Sequence, residues 1–148
     1  MTTWRSSSLG ETSKIAKEIL CDLTKDGSLK GPVILGLVGE LGAGKTAFTK
    51  ALAKELKIKE RVSSPTFVLM RRYVTKHKRF KTLYHFDCYR LEEAKELHDL
   101  YWGEIMKNEK ALVVLEWADL VKKELPKKTI WLKFSHGKKK KERVITKK

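Results

Sequence analysis

The run Gly39-Glu40-Leu41-Gly42-Ala43-Gly44-Lys45-Thr46 has the composition and spacing of a Walker A phosphate loop. Its glycines allow the backbone to fold tightly around an anion, so that successive N–H groups and the N-terminus of a following helix face a β-phosphate. At this spacing Lys45 reaches the β- and γ-phosphates as a point charge, and the Thr46 hydroxyl is placed to hold Mg²⁺. Gly42, Ala43, Gly44, Lys45, Thr46 and Ala47 are the expected nucleotide contacts of the loop and first helical turn.

A phosphate loop needs an acid on the metal side from a neighbouring strand. Glu116 closes the apolar run Ala111-Leu112-Val113-Val114-Leu115, and strand ends converge on the nucleotide at the carboxyl edge of an open α/β sheet. Asp87 is the second candidate, in Tyr84-His85-Phe86-Asp87-Cys88-Tyr89-Arg90, where strand alternation puts His85, Asp87 and Tyr89 on one face. Glu116 is assigned the metal and Asp87 water activation or an outer contact to the metal, with the exchange of these roles open. Thr66, after Ser64-Pro65, is placed like the switch threonine that responds to γ-phosphate. Trp117 should lie at the nucleotide edge or serve as a core or interface tryptophan, and His85 reads as a packed or solvated strand histidine rather than a base. No Asn-Lys-x-Asp guanine clamp and no Asp-x-x-Gly spacing occur, which favours ATP over GTP.

Such a site has to be carried by particular elements. Val33-Ile34-Leu35-Gly36-Leu37-Val38 is an apolar run of the kind buried in a parallel sheet, and Phe48, Leu52 and Leu56 recur at helical spacing after the loop. Ser8 and Glu11 have capping-box spacing and open a first helix running to about Leu23. Phe67 to Tyr73 and Lys81 to Phe86 read as two antiparallel strands joined through Lys76-His77-Lys78-Arg79, and Leu91 to Leu100 as a short acidic helix. A short helix around Leu120 to Glu124 and a strand from Thr129 to Phe134 follow. Arg143 to Thr146 reads as one more edge strand. The expected architecture is α/β: a single P-loop NTPase-like domain over residues 1–135, a mixed and mostly parallel sheet with flanking helices and an antiparallel hairpin, then a basic tail over 136–148.

The 148 residues carry 33 Lys plus Arg against 18 Asp plus Glu, a formal charge of +15. The excess is concentrated beyond Ser135, where Lys138, Lys139, Lys140, Lys141, Arg143, Lys147 and Lys148 face only Glu142. Such a run attracts nucleic-acid backbones by counterion release or simply keeps the chain soluble, and it contains no aromatic residue for base stacking. Cys21 and Cys88 form no metal-binding pair. With no apolar run near twenty residues and no secretory h-region, a cytoplasmic protein with no membrane association is expected.

Taken together, the phosphate loop, Ser64-Pro65-Thr66-Phe67, His85-Phe86-Asp87-Cys88-Tyr89-Arg90-Leu91 and Leu115-Glu116-Trp117 resemble the bacterial TsaE family (formerly YjeE), roughly from Leu9 to Phe134. The resemblance implies a small Mg²⁺-dependent ATPase required for threonylcarbamoyladenosine modification of tRNA, acting with the TsaB and TsaD proteins of the transferase complex and resetting them between rounds. It implies Mg²⁺ at Thr46 and Glu116, the essential acid at Asp87, phosphate contact at Lys45, and residues from Leu9 to Thr12 near the adenine. Cys88 stands where the family often has an aliphatic residue, and the family accounts for nothing in the lysine-rich tail, whose contact with tRNA would be indirect or weak. The residues by themselves leave two other readings open, a small-molecule P-loop kinase and a nucleic-acid-binding module with a regulatory ATP site.

Overall fold

The computed structural model describes residues 1–62 and 68–148. Seven strands form one sheet in the order β1-β7-β6-β2-β5-β4-β3: β1 (Thr2–Ser6), β2 (Val33–Gly39), β3 (Met70–Val74), β4 (Thr82–Asp87), β5 (Ala111–Glu116), β6 (Ile130–His136) and β7 (Arg143–Lys147). The four central strands, β6, β2, β5 and β4, run parallel. β3 closes one side as an antiparallel hairpin with β4, while β7 and β1 extend the other side antiparallel to β6 and to each other. This is the mixed sheet of a P-loop NTPase-like domain, with helices on its faces.

The central strands are central because they are apolar on both faces. All six residues of β5 and the first five of β2 are buried, which only a strand covered from both sides tolerates. On one face Leu35, Leu37, Leu112, Val114 and Phe134 pack under α1 (Leu9–Lys25) and α2 (Lys45–Glu55), with Phe48 and Leu52 as the main knobs of α2. On the other, Ile34, Phe86, Val113 and Leu115 meet Leu97, the short helix α3 (Trp102–Ile105) and Val121.

α1 begins where the capping spacing places it. Ser8 is extended and its Oγ accepts from the Glu11 N–H, while Glu11 Oε2 accepts from the Ser7 N–H at 2.6 Å. Thr12, Ile15, Ala16, Ile19, Leu20 and Leu23 then form its buried stripe, which continues to Lys25, a little past the expected end at Leu23.

Two sequence expectations are corrected, and one strand is additional to them. The acidic segment expected as a helix over 91–100 is 3-10 helix from Ala94 to Leu100, held by a capping box between Glu93 and Glu96. β1 was not anticipated, because Thr2–Ser6 lacks a buried stripe strong enough to announce a strand. The Arg143 to Thr146 segment is not an edge strand: β7 is paired on both sides, by β1 and by β6, so residues 136–148 lead back into the sheet and β1 takes the edge.

Candidate functional site

Two features of β2 and its loop place the phosphate-binding backbone. Gly39 has φ of 148° and passes so close to β6 that a Cβ there would stand 2.3 Å from the Phe134 carbonyl oxygen. Gly44, at φ of 106°, caps α2 in the left-handed region and turns the loop into the helix. Lys45 is therefore the first helical residue, and its side chain folds back over the loop: Nζ donates to the carbonyls of Gly39 (2.5 Å) and Glu40 (2.9 Å) and stands 4.1 Å from the centre of the Trp117 ring. Burial pushes the Lys45 pKa below the ordinary lysine value, with the carboxylates of Glu116, Asp119 and Asp87 pulling the other way.

Glu116 is the junction of the site. It is the last residue of β5, buried, with each carboxylate oxygen engaged by a different element: Oε1 accepts from Thr46 Oγ1 at 2.8 Å, and Oε2 lies 2.5 Å from His85 Nε2. Parallel register sets Asp87 beside Glu116, so the ends of β4 and β5 bring both acids to one edge of the sheet. Asp87 Oδ1 accepts from the Tyr89 N–H and so starts the short 3-10 turn of Cys88–Arg90. The Tyr89 ring in turn lies 4.9 Å from Trp117, which sits in the left-handed region at φ of 57°. Cys88 points away into the core, where burial first and the neighbouring acids second raise its thiol to about 12, which leaves it inert.

Two cavities meet over the loop. One, of about 260 Å³, is lined by Leu41, Gly42, Gly44, Lys45, Thr46, Ala47, Glu116 and Trp117. The other, of about 430 Å³, shares Gly42, Gly44 and Ala47 and extends to Ser6, Ser8, Leu9 and Thr12 at the start of α1. The structure thus brings together Lys45, Thr46, Ala47, Glu116 and Trp117 on one side of the loop and Leu9 and Thr12 on the other. Ala43 is wholly buried beneath it, and Thr66 lies outside the described residues.

Sequence reasoning passed over two sets of residues. His85, expected as a packed or solvated strand histidine, is fully buried, and beyond packing it contacts the candidate metal acid, while its Nδ1 has no partner in the described structure. Lys140, Lys141 and Arg143, assigned to the tail, line the larger cavity, and Arg143 Nε donates to the Gly42 carbonyl at 3.1 Å. Neither set had a local signal, since His85 and Glu116 are 31 positions apart and Arg143 and Gly42 are 101 apart.

A buried lysine turned onto a glycine loop, a helix starting under that loop, and an acid from the adjacent strand touching the helix's first hydroxyl define the class: a P-loop NTPase-like protein, a fold that implies nucleotide binding. The family model described as threonylcarbamoyl adenosine biosynthesis protein TsaE matches residues 6–145, and the chain belongs to the TsaE family. It is similar to the tRNA threonylcarbamoyladenosine biosynthesis protein TsaE of Bacillus subtilis, 38% identical over 127 residues that cover 86% of this chain and 73% of that protein. The protein of the same description from Treponema pallidum is 42% identical over 101 residues, covering 68% and 70%. Among solved structures, that of Bacillus subtilis YdiB superposes with a TM-score of 0.71 at 29% identity, over 99% of this chain and 83% of that one.

Proposed function

We propose that this chain is a Mg²⁺-dependent ATP hydrolase that serves threonylcarbamoyladenosine formation on tRNA in the cytoplasm, working with the TsaB–TsaD transferase complex. The tRNA-modifying role rests on family membership and on the descriptions of its relatives. The hydrolase reading rests on one observation above the others, the 2.8 Å hydrogen bond from Thr46 Oγ1 to Glu116 Oε1. It joins the loop hydroxyl and the strand-end carboxylate, the two hard oxygen donors that Mg²⁺ takes in such sites while keeping water and phosphate oxygens in its other positions.

The donor set fits that ion. Among the described residues no group of three or more His, Cys, Asp or Glu side chains forms a protein cage for a metal. Thr46 and Glu116 would hold the ion, and His85 fixes the second Glu116 oxygen so that the first points at Thr46. Held by Thr46 and Glu116, such an ion would supply positive charge to offset that on the phosphoryl oxygens.

The protein's own groups do the rest. Lys45 exchanges the Gly39 and Glu40 carbonyls for β- and γ-phosphate oxygens, which the loop N–H groups also bind. Asp87 accepts a hydrogen bond from the attacking water and aligns it with the γ-phosphorus. The adenosine occupies the larger cavity, against Leu9 and Thr12, with Arg143 anchored on the Gly42 carbonyl at its rim. Thr66 is assigned the γ-phosphate-sensing role on its motif alone, and the lysines of the 138–141 run a weak contact to tRNA.

The test is phosphate release from Mg-ATP by the purified protein, alone and with TsaB–TsaD. Slow release that the complex accelerates supports the reading. Phosphate appearing only on an acceptor molecule would make the protein a kinase, and an ATPase indifferent to the complex would sever the partnership.

A further inference from the structure

On the face of the sheet away from α1 and α2, strands β6, β7 and β1 present a second constellation. Their alternation is that of a sheet covered on one side only: Leu132, Phe134 and Ile145 are buried against the helices, while Lys133 of β6 and Thr3 and Arg5 of β1 are exposed on the opposite side. In register with them on that side stand Ser135, Val144 and Thr146. At the inner end of this face a cavity of about 400 Å³ opens beside Val38 and Gly39, lined further by Trp131, Lys133, Lys122, Lys148 and Asp119.

Trp131 is placed there by a gap in the neighbouring strand. Gly36 of β2 is its register partner, and a Cβ at Gly36 would stand 2.9 Å from the indole, so the ring occupies the space where a side chain would be. Lys122 Nζ lies 5.9 Å from the ring centre, and the Lys148 N–H is hydrogen-bonded to the Trp131 carbonyl. Arg5 extends the positive potential across β1, partly offset by its ion pair with Glu142.

We propose that this face binds a short single-stranded RNA segment, with a base stacked on Trp131 and the phosphates on Lys122, Lys133 and Lys148. The charge is complementary to a polyanion, since the ionisable side chains lining the cavity are the ammonium groups of Lys122, Lys133 and Lys148 and the carboxylate of Asp119. A flat aromatic beside lysines suits a nucleobase flanked by its phosphates, and the hydroxyls of Thr3, Ser135 and Thr146 suit sugar and phosphate oxygens. An acidic peptide would find charge here but few apolar anchors beyond Trp131 and Val144. The inference does not depend on ATP hydrolysis, and the surface is separate from the 138–141 lysine run: Lys140 and Lys141 line the cavity on the nucleotide side.

The experiment is fluorescence anisotropy of the full chain with a labelled RNA of about ten nucleotides, at low ionic strength and then along a salt series. Trp131→Ala should weaken binding by about 5- to 150-fold and Trp131→Phe much less. Because Trp131 also packs on the sheet, the exposed pair Lys122→Glu and Lys133→Glu provides a second test, lowering the slope of log K against log salt by about 1.4. Replacing Lys138 to Lys141 with serine should leave the affinity nearly unchanged. The inference is overturned if the oligonucleotide does not bind, or if binding survives the Trp131 and lysine changes. Loss of binding with the serine run, or equally effective displacement by duplex RNA or by a poly-glutamate peptide, would also sink it.

Discussion

Arg79 and Lys45 both reach back to main-chain carbonyls, and they do so to opposite ends. Arg79, in the turn between β3 and β4, gathers the end of α1 and the chain leaving it. Its guanidinium donates to the carbonyls of Leu23, Thr24 (3.0 Å), Asp26 (3.2 Å) and Leu29 (2.6 Å), and it lies over the Phe80 ring. The carbonyls of Leu23 and Thr24 are among the orphan acceptors that a helix C-terminus leaves, and one planar fork satisfies them together with those of Asp26 and Leu29 in the chain that follows. Among the described residues Lys45 Nζ donates to two carbonyls, both from the loop that it would have to leave on binding a phosphate, and its ammonium is desolvated enough to lower its pKa. A cation saturated by fixed acceptors is structure. A buried cation with replaceable partners beside a cavity is poised for a ligand.

The largest effect that could break this contrast is catalytic. Lys45→Ala should reduce ATP hydrolysis by more than about 100-fold while the melting temperature stays close to that of the parent. Hydrolysis surviving in a folded Lys45→Ala protein would remove the phosphate-loop assignment. Glu116→Gln should chiefly abolish the Mg²⁺ dependence of ATP affinity, whereas Asp87→Asn should lower turnover with affinity little changed. Titrations with Mg²⁺ and with EDTA separate the two, and the opposite pattern exchanges the roles of the acids.

Arg79→Ala should do the reverse of Lys45→Ala. Loss of the fork leaves the Leu23, Thr24 and Leu29 carbonyls to water and costs about 1 to 3 kcal/mol of stability in urea unfolding, with ATP affinity unaltered below the transition. An Arg79→Ala protein as stable as the parent would show that those contacts are incidental.

The same contrast explains what the sequence disclosed. The phosphate loop, β2 and β5 were legible because a glycine pattern and unbroken apolar runs are local signals that tertiary context rarely overrides. Glu116 drew attention because it closes such a run, and Asp87 because it ends the strand pattern of 81–86. The Arg79 fork, the contact of His85 with Glu116 and the approach of Arg143 to Gly42 each depend on a partner remote in the chain, and no spacing encodes them. β1 and β7 were hardest for a related reason: each is short and half-exposed, and their pairing joins the two ends of the chain.

A smaller effect distinguishes the two cations by sign. The lowered pKa of Lys45 means that its charged form is disfavoured by folding; that cost is present below its folded pKa and relieved as pH rises through it toward the ordinary 10.5. Without nucleotide, Lys45→Met should therefore match or exceed the parent in melting temperature at neutral pH, and its advantage should shrink in alkaline buffer. Arg79→Met should lower the melting temperature throughout that range.

The smallest effect concerns the turn that aims Arg79. His77 Nδ1 accepts from the N–H groups of both Arg79 (3.1 Å) and Phe80 (3.2 Å), which requires that nitrogen to be unprotonated. Burial, and after it the charges of Lys78, Lys81, Lys57 and Arg79, push the His77 pKa below its ordinary value of 6.5. Between the folded pKa and 6.5 the unfolded chain takes up the proton and the folded chain does not, so stability falls as pH is lowered through that window and the full loss is present below it. His77→Asn retains a side-chain acceptor that does not titrate. Melting temperatures from pH 8 to pH 5 should decline in the parent more than in His77→Asn, by a few degrees at most because the turn is partly open to solvent. Parallel curves would show that the acceptor role of His77 does not govern the turn, and that the Arg79 fork holds its position without it.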